Sequence, residues 1–99
     1  MPYRVELYAG LKRAIQKEWQ LADFLVVDIA MRLHKDWLGT DPAQYLVPSD
    51  DLRGGMIYRF SVVDPTNRLA EHIFVFRVLY GQDEQTLWVI EGGYYRSAI

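Results

Sequence analysis

The chain has 99 residues, 51% of them hydrophobic, 24% charged and 14% aromatic, and a formal net charge of −2. This length supports one hydrophobic core, so we expect a single domain over residues 1–99, and the composition excludes wholesale disorder. The acidic balance argues against a protein that grips polyphosphate over a broad surface, and the absence of cysteine excludes disulfides, thiolate chemistry and metal–sulfur sites.

Tyr3-Arg4-Val5-Glu6-Leu7-Tyr8 alternates with the period of a half-buried strand, Tyr3, Val5 and Leu7 sharing one face. From Leu11 the period becomes helical: Leu11, Ile15, Trp19, Ala22, Val26, Ile29, Leu33 and Trp37 fall three or four residues apart. A straight helix over Leu11–Leu38 would be about 42 Å long, more than a domain of this size accommodates. The expectation is therefore a break near Gln20 to Asp23, with Asp23 capping a second helix. Gly39 is placed to cap the C-terminus, with Lys35 in the last turn. Phe24-Leu25-Val26-Val27-Asp28-Ile29 is β-branched enough to read also as a buried strand. Helix is the preferred reading, and periodicity alone leaves both open. Trp19, Ile29 and Trp37 are expected to be largely buried, either in the core or against a second copy.

Asp41-Pro42 opens a short helical turn, and Pro48 to Gly55 is the flexible-looking connection. Three runs rich in β-branched and aromatic residues then follow: Met56–Val63, Ile73–Tyr80 and Thr86–Ile90. Asp64-Pro65-Thr66-Asn67, Gly81 to Glu84 and Gly92-Gly93 punctuate them as turns. The predicted fold is α+β: an N-terminal strand, two helices, then a three-stranded antiparallel meander with the helices on the face of Phe60, Phe74, Phe76 and Val89.

Alternation puts Arg59 and Arg77 on the opposite face of the meander, where Arg4 and Arg96 could join them. Clustered guanidinium groups suit phosphate or carboxylate. The plainer reading is that these arginines pair with Glu6, Glu91 and Asp64 on a solvated sheet face. His34 sits where a cation is favourable near a helix end, and His72 opens a strand with no second histidine at a ligand spacing. No metal site and no cofactor are expected.

Leu52-Arg53-Gly54-Gly55-Met56-Ile57-Tyr58-Arg59-Phe60, Phe76-Arg77-Val78-Leu79-Tyr80 and Gly93-Tyr94-Tyr95-Arg96, in this element order, resemble the RelE/ParE superfamily of small bacterial toxins. The resemblance implies a cupped sheet backed by helices and the toxic half of a toxin–antitoxin pair. One branch of that superfamily cleaves messenger RNA on the ribosome, and the other inhibits DNA gyrase. For a metal-independent endoribonuclease it implies a catalytic set of Arg59, Arg77, Tyr95 and Arg96. Arg77 would hold the scissile phosphate, and Tyr95 and Arg96 would stand in the terminal tail. The chain departs from the family in its acidity, in having Asp50 and Asp51 but few basic residues before the meander, and in a longer connection from Asp64 to Glu71.

The implied partners are a cognate antitoxin and RNA or the ribosome. The alternative is a non-enzymatic α+β interaction module, an inactive relative of the toxins, and a third reading is an unrelated cystatin-like sheet on a helix. Whether the chain is an enzyme is left open. The aromatic surplus, 7 Tyr and 3 Trp, suits a homodimer or another protein partner. No signal peptide stands at the N-terminus and no apolar run approaches ~18 residues, so a cytoplasmic chain without a membrane span is expected.

Overall fold

The computed structural model describes residues 2–51 and 53–98. Strand β1 (Arg4–Leu7) leads into α1 (Ala9–Arg13), which continues through a π-helical turn over Ala14–Glu18. The chain then breaks at Gln20, whose φ of +52° lies in the left-handed region that a residue with a Cβ adopts only at some cost. Helix α2 (Asp23–Arg32) follows. The break falls where the sequence places it, but the extended residue at its end is Ala22, so Asp23 lies in the first turn and is not the cap. A carboxylate there still complements the helix dipole.

The segment Phe24–Ile29 is helical. Its stripe of Leu25 and Ile29 is buried while Phe24 and Val27 face out, a division only the helical period produces. The helix ends at Arg32, short of the expected Trp37, and turns occupy residues 33 to 40. Gly39 accordingly caps no helix. A Cβ there would lie 2.3 Å from the carbonyl oxygen of Tyr3, and the Tyr3 N–H donates to the Gly39 carbonyl at 2.8 Å. Glycine at this position lets the chain press against the start of β1. A short α3 (Pro42–Tyr45) precedes β2 (Val47–Pro48), β3 (Met56–Asp64), β4 (Asn67–Tyr80) and β5 (Thr86–Ala98).

The strand order is β1-β5-β4-β3-β2, with β1 parallel to β5 and every other pair antiparallel. The α+β class stands, but the expected two helices and three-stranded meander are incomplete: β3, β4 and β5 lie inside a five-stranded mixed sheet, because β1 and β2 extend it on either side, and the short α3 adds a further helix. Two connections differ from the sequence reading. Asp64 pairs with Asn67 across a tight hairpin, so the long Asp64–Glu71 connection is mostly strand. One oxygen of Asp64 accepts from both the N–H (2.9 Å) and the hydroxyl (2.7 Å) of Thr66, which closes the turn locally. Gly92-Gly93, by contrast, is not a turn; it lies inside β5. A Cβ on Gly92 would come within 2.6 Å of the Phe76 ring, so its small size serves packing. Beside it the register moves from Arg77↔Glu91 to Val78↔Val89, a bulge that leaves Ile90 as the extra residue.

Tyr58, Phe60, Phe74, Phe76, Val78 and Val89 form the sheet side of the core, and Leu11, Ile15, Leu25, Ile29 and Leu33 the helix side. Phe74 and Phe76 are fully buried. Trp19 is partly buried across Phe74, Phe76 and Tyr94, with ring centroids 6.0–6.2 Å away. Trp37, expected to be buried, is 40% exposed, because the helix ends before it and leaves the indole stacked on Tyr45 at 6.0 Å. No helix among the described residues is long and apolar enough to cross a membrane.

Phe76→Ala should cost about 3–5 kcal/mol in urea denaturation, the range for a large aromatic lost from a close-packed site. Trp37→Ala should cost well under half as much. Equal losses would mean that Trp37 is covered in solution.

Candidate functional site

The ladder between β3, β4 and β5 arranges the helix-free face in rows. Ile57, Arg77 and Glu91 form one row, Arg59, Val75 and Gly93 the next, and Ser61, Ile73 and Tyr95 a third. Arg59 and Arg77 are therefore diagonal neighbours, with Tyr95 one row beyond Arg59. Arg96 is not brought to this face. It pairs with His72 across β4 and β5, and the two-residue period sends it to the side of Phe74 and the helices. Three of the four residues singled out by the sequence share a surface, and the fourth lies across the sheet from them.

Arg77 is only 5% exposed, and its guanidinium is engaged on every nitrogen. Nε donates to Glu91 Oε1 at 2.7 Å, one terminal nitrogen to the Gly54 carbonyl, and the other to Asp51 Oδ2 at 2.5 Å. Arg53 closes the ring of charge, 2.7 Å from Glu91 Oε1 and 3.4 Å from Asp51 Oδ2. Two guanidiniums and two carboxylates thus balance. The Arg77 bonds, with help from the Arg53 N–H, hold the Asp51 carboxyl at about 2 against an ordinary 3.8. Glu91 and Asp51 in turn push Arg77 further above its usual range. The loop carrying Asp51 reaches Arg77 because Gly54 and Gly55 both take positive φ, +70° and +79°, which a side chain would oppose.

A shallow concavity of about 320 Å³ opens beside this quartet, lined by Arg53, Ile57, Val75, Arg77, Glu91 and Gly93. Gly93 forms its bare floor, with open space where a Cβ would stand. Arg59 is exposed and makes no ion pair among the described residues, and Tyr95 is 49% exposed. The face thus offers one free guanidinium and one phenol beside a neutralised arginine. Arg4, at the far edge, pairs with Asp83 at 3.5 Å and donates to the Thr86 hydroxyl.

A second polar cluster, which the sequence did not reveal, lies on the helix side at the end of the sheet. His72, 7% exposed, has Nδ1 2.8 Å from the Tyr94 hydroxyl and Nε2 3.1 Å from Asp64 Oδ2. With Asp64 ionised, Nε2 donates to it, and a neutral ring then accepts from the Tyr94 hydroxyl at Nδ1. The Thr66 hydroxyl and N–H lower the Asp64 carboxyl to about 2, with smaller help from His72 and Arg96, the latter 3.4 Å away. The signal was available in the alternation, which puts His72 in line with Phe74 and Phe76 on the core face, where an imidazole needs partners. The hairpin that brings Asp64 to it was not legible. Among the described residues no group of three or more His, Asp or Glu side chains could hold a metal ion.

Because Asp51 titrates below its unfolded value, its contact with Arg77 stabilises the fold above about pH 4 and is lost as the pH falls towards 2. Carboxyl 13C titration should place Asp51 near 2, and Arg77→Gln should return it towards 3.8. An Asp51 that titrates normally in the unsubstituted chain would mean the quartet does not form in solution.

No protein-family model matches the chain, and no curated protein sequence matches it. Among solved structures, a chain in the crystal structure of the toxin–antitoxin complex RelBE2 from Mycobacterium tuberculosis is similar in fold. The TM-score is 0.62 at 17% identity, over 96% of this chain and 100% of that one. The fold implied by the resemblance to the RelE/ParE superfamily is thus shared, over nearly the whole length, with a component of a toxin–antitoxin complex.

Proposed function

We propose that this chain is the toxin-fold member of a toxin–antitoxin pair, and that it acts on its target by binding, not by cutting RNA. The toxin part of the reading is supported by the likeness in fold to a chain of the RelBE2 complex. The non-nucleolytic part rests on one observation: the donors of Arg77, where the superfamily's ribonucleases would hold a phosphate, are taken by the chain's own Asp51, Glu91 and Gly54. A phosphodiester entering here would displace a bonded carboxylate or add a charge to a cluster already neutral. The separation of Arg96 from Arg59 and Tyr95 points the same way, since charge stabilisation in RNA cleavage requires donors that converge on one oxyanion.

A protein partner suits the surface. Phe24, Val27 and Met31, 42–58% exposed, share one side of α2 at spacings of three and four residues. The partner would be an antitoxin that covers the chain until its target, in the cytoplasm, is to be engaged.

Controlled expression in a bacterial host should arrest growth, co-expression of the protein encoded beside this chain should relieve the arrest, and primer extension should find transcripts uncut. Cleaved transcripts whose cuts vanish with Arg59→Ala or Tyr95→Ala, in a variant of unchanged circular dichroism, would establish a nuclease instead. Harmless expression would remove the toxin reading altogether.

A further inference from the structure

A further cavity lies on neither the open face nor the His72 cluster. A groove of about 640 Å³ runs between β1 and the two longer helical segments, with Ile15, Val26, Ile29 and Leu33 among its floor residues. Its outer wall is the edge of the sheet. In the parallel ladder Arg4 donates to the Gln85 carbonyl at 2.9 Å and Tyr8 to the Val89 carbonyl at 3.1 Å, so the even-numbered residues of β1 face β5. The odd-numbered ones face the groove. Tyr3 confirms the alternation by donating outward to Gly39, but Val5 and Leu7, next along that edge, have no backbone partner on the groove side among the described residues. A short strand edge with unpaired amides beside an apolar floor is a template for another strand.

The charge of the rim specifies which strand. The chain is acidic overall, yet Arg4, Lys12 and Lys35 line this groove with Glu6 as the one carboxylate. Arg4 is answered by Asp83, whereas Lys12 and Lys35 make no ion pair among the described residues. His34, also on the rim, lies 3.5 Å from Asp36.

We propose that this groove receives an extended segment of a partner protein that adds to the free edge of β1, with apolar side chains at alternate positions and carboxylates at its ends. Its backbone would pair with Val5 and Leu7, its apolar side chains would descend towards Ile15 and Leu33, and its acidic ends would meet Lys12 and Lys35. Main-chain bonds supply affinity in this mode, and the pockets and rim charges supply selectivity. The inference goes beyond the toxin reading and stands apart from it: a chain harmless to its host that binds such a segment keeps it, and a toxic chain that does not bind loses it.

The test uses the whole 15N-labelled chain and a synthetic probe, acetyl-Glu-Val-Thr-Val-Glu-amide, at millimolar concentration. Binding should slow hydrogen exchange of the Val5 and Leu7 amides at least tenfold while leaving those of Arg4 and Glu6, already bonded to β5, little changed. Lys12→Glu with Lys35→Glu should weaken the probe at least tenfold and confer binding of the lysine-ended counterpart. The milder pair Lys12→Gln and Lys35→Gln should give an intermediate loss if the charge-reversed chain misfolds. Absence of binding, equal affinity for both peptides, or shifts in the groove without protection of Val5 and Leu7 would overturn the proposal, the last by indicating a helical occupant.

Discussion

A guanidinium withdrawn from water must be answered with charge and hydrogen bonds, and the open face of this sheet is organised around that demand. Arg77 stands in the central strand with Ile57 and Glu91 on either side, so one carboxylate is supplied by the ladder itself. The other has to come from outside the sheet. It comes from Asp51, on a loop whose two glycines at positive φ turn it over the strand. Arg53 then follows Asp51 almost of necessity, since Glu91 and Asp51 together carry one charge more than Arg77 can balance. Neutrality, once reached, changes what the face can do: of its central cations only Arg59 is left without an ion pair among the described residues.

The helix face meets an equivalent demand differently. His72 falls in the same alternating row as Phe74 and Phe76 and could not be left bare. It is satisfied by Tyr94 from the neighbouring strand and by Asp64 from the hairpin, each of which does a second job. Tyr94 stacks on Phe74 at 5.0 Å, and Asp64 closes the turn through Thr66. Arg96, drawn to Asp64, is thereby committed to this end of the molecule. Both polar clusters therefore tie a loop or turn to the sheet, and each does so through a carboxylate held near pKa 2 by its donors.

Periodicity made the strands, the kinked helical region and the aromatic core legible, because a one-residue slip would expose Phe74 and Phe76 together. It also placed Arg59 and Arg77 on a common face, but it wrongly added Arg96 to them, and Tyr95 was suggested only by the family resemblance. What it could not convey was where strands stop. Gly92-Gly93 carries turn chemistry, yet it pairs with Phe76 and Val75 inside β5, where the missing Cβ of Gly92 leaves room for the Phe76 ring. Asp64 to Asn67 carries the same chemistry and is a turn, with strand resuming at once. The extent of β5 in turn decides the parity of everything after it, which is why Tyr95 and Arg96 diverge to opposite sides. The ring around Arg77 depends on Asp51, 26 residues away along the chain, and nothing local in the sequence announces that contact.

A shared fold does not carry a shared chemistry with it, since folds host sites that are set by a few side chains. The TM-score of 0.62 at 17% identity means that the path of the backbone has been kept while most side chains differ. In this chain the central strand's Arg77 is answered from within, by Asp51, Glu91 and the Gly54 carbonyl. The consequence reaches the net charge: a surface that must attract RNA profits from an excess of cations, whereas one that binds proteins does not need it. The acidic balance, an arginine neutralised from within, an apolar stripe on α2 and a strand edge beside two lysines without ion pairs among the described residues are the features that support the proposed protein partner. The same backbone with Asp51 and Glu91 replaced by neutral residues would free the donors of Arg77 and leave Arg53, Arg59 and Arg77 as unanswered cations, a set of guanidiniums that suits a phosphate.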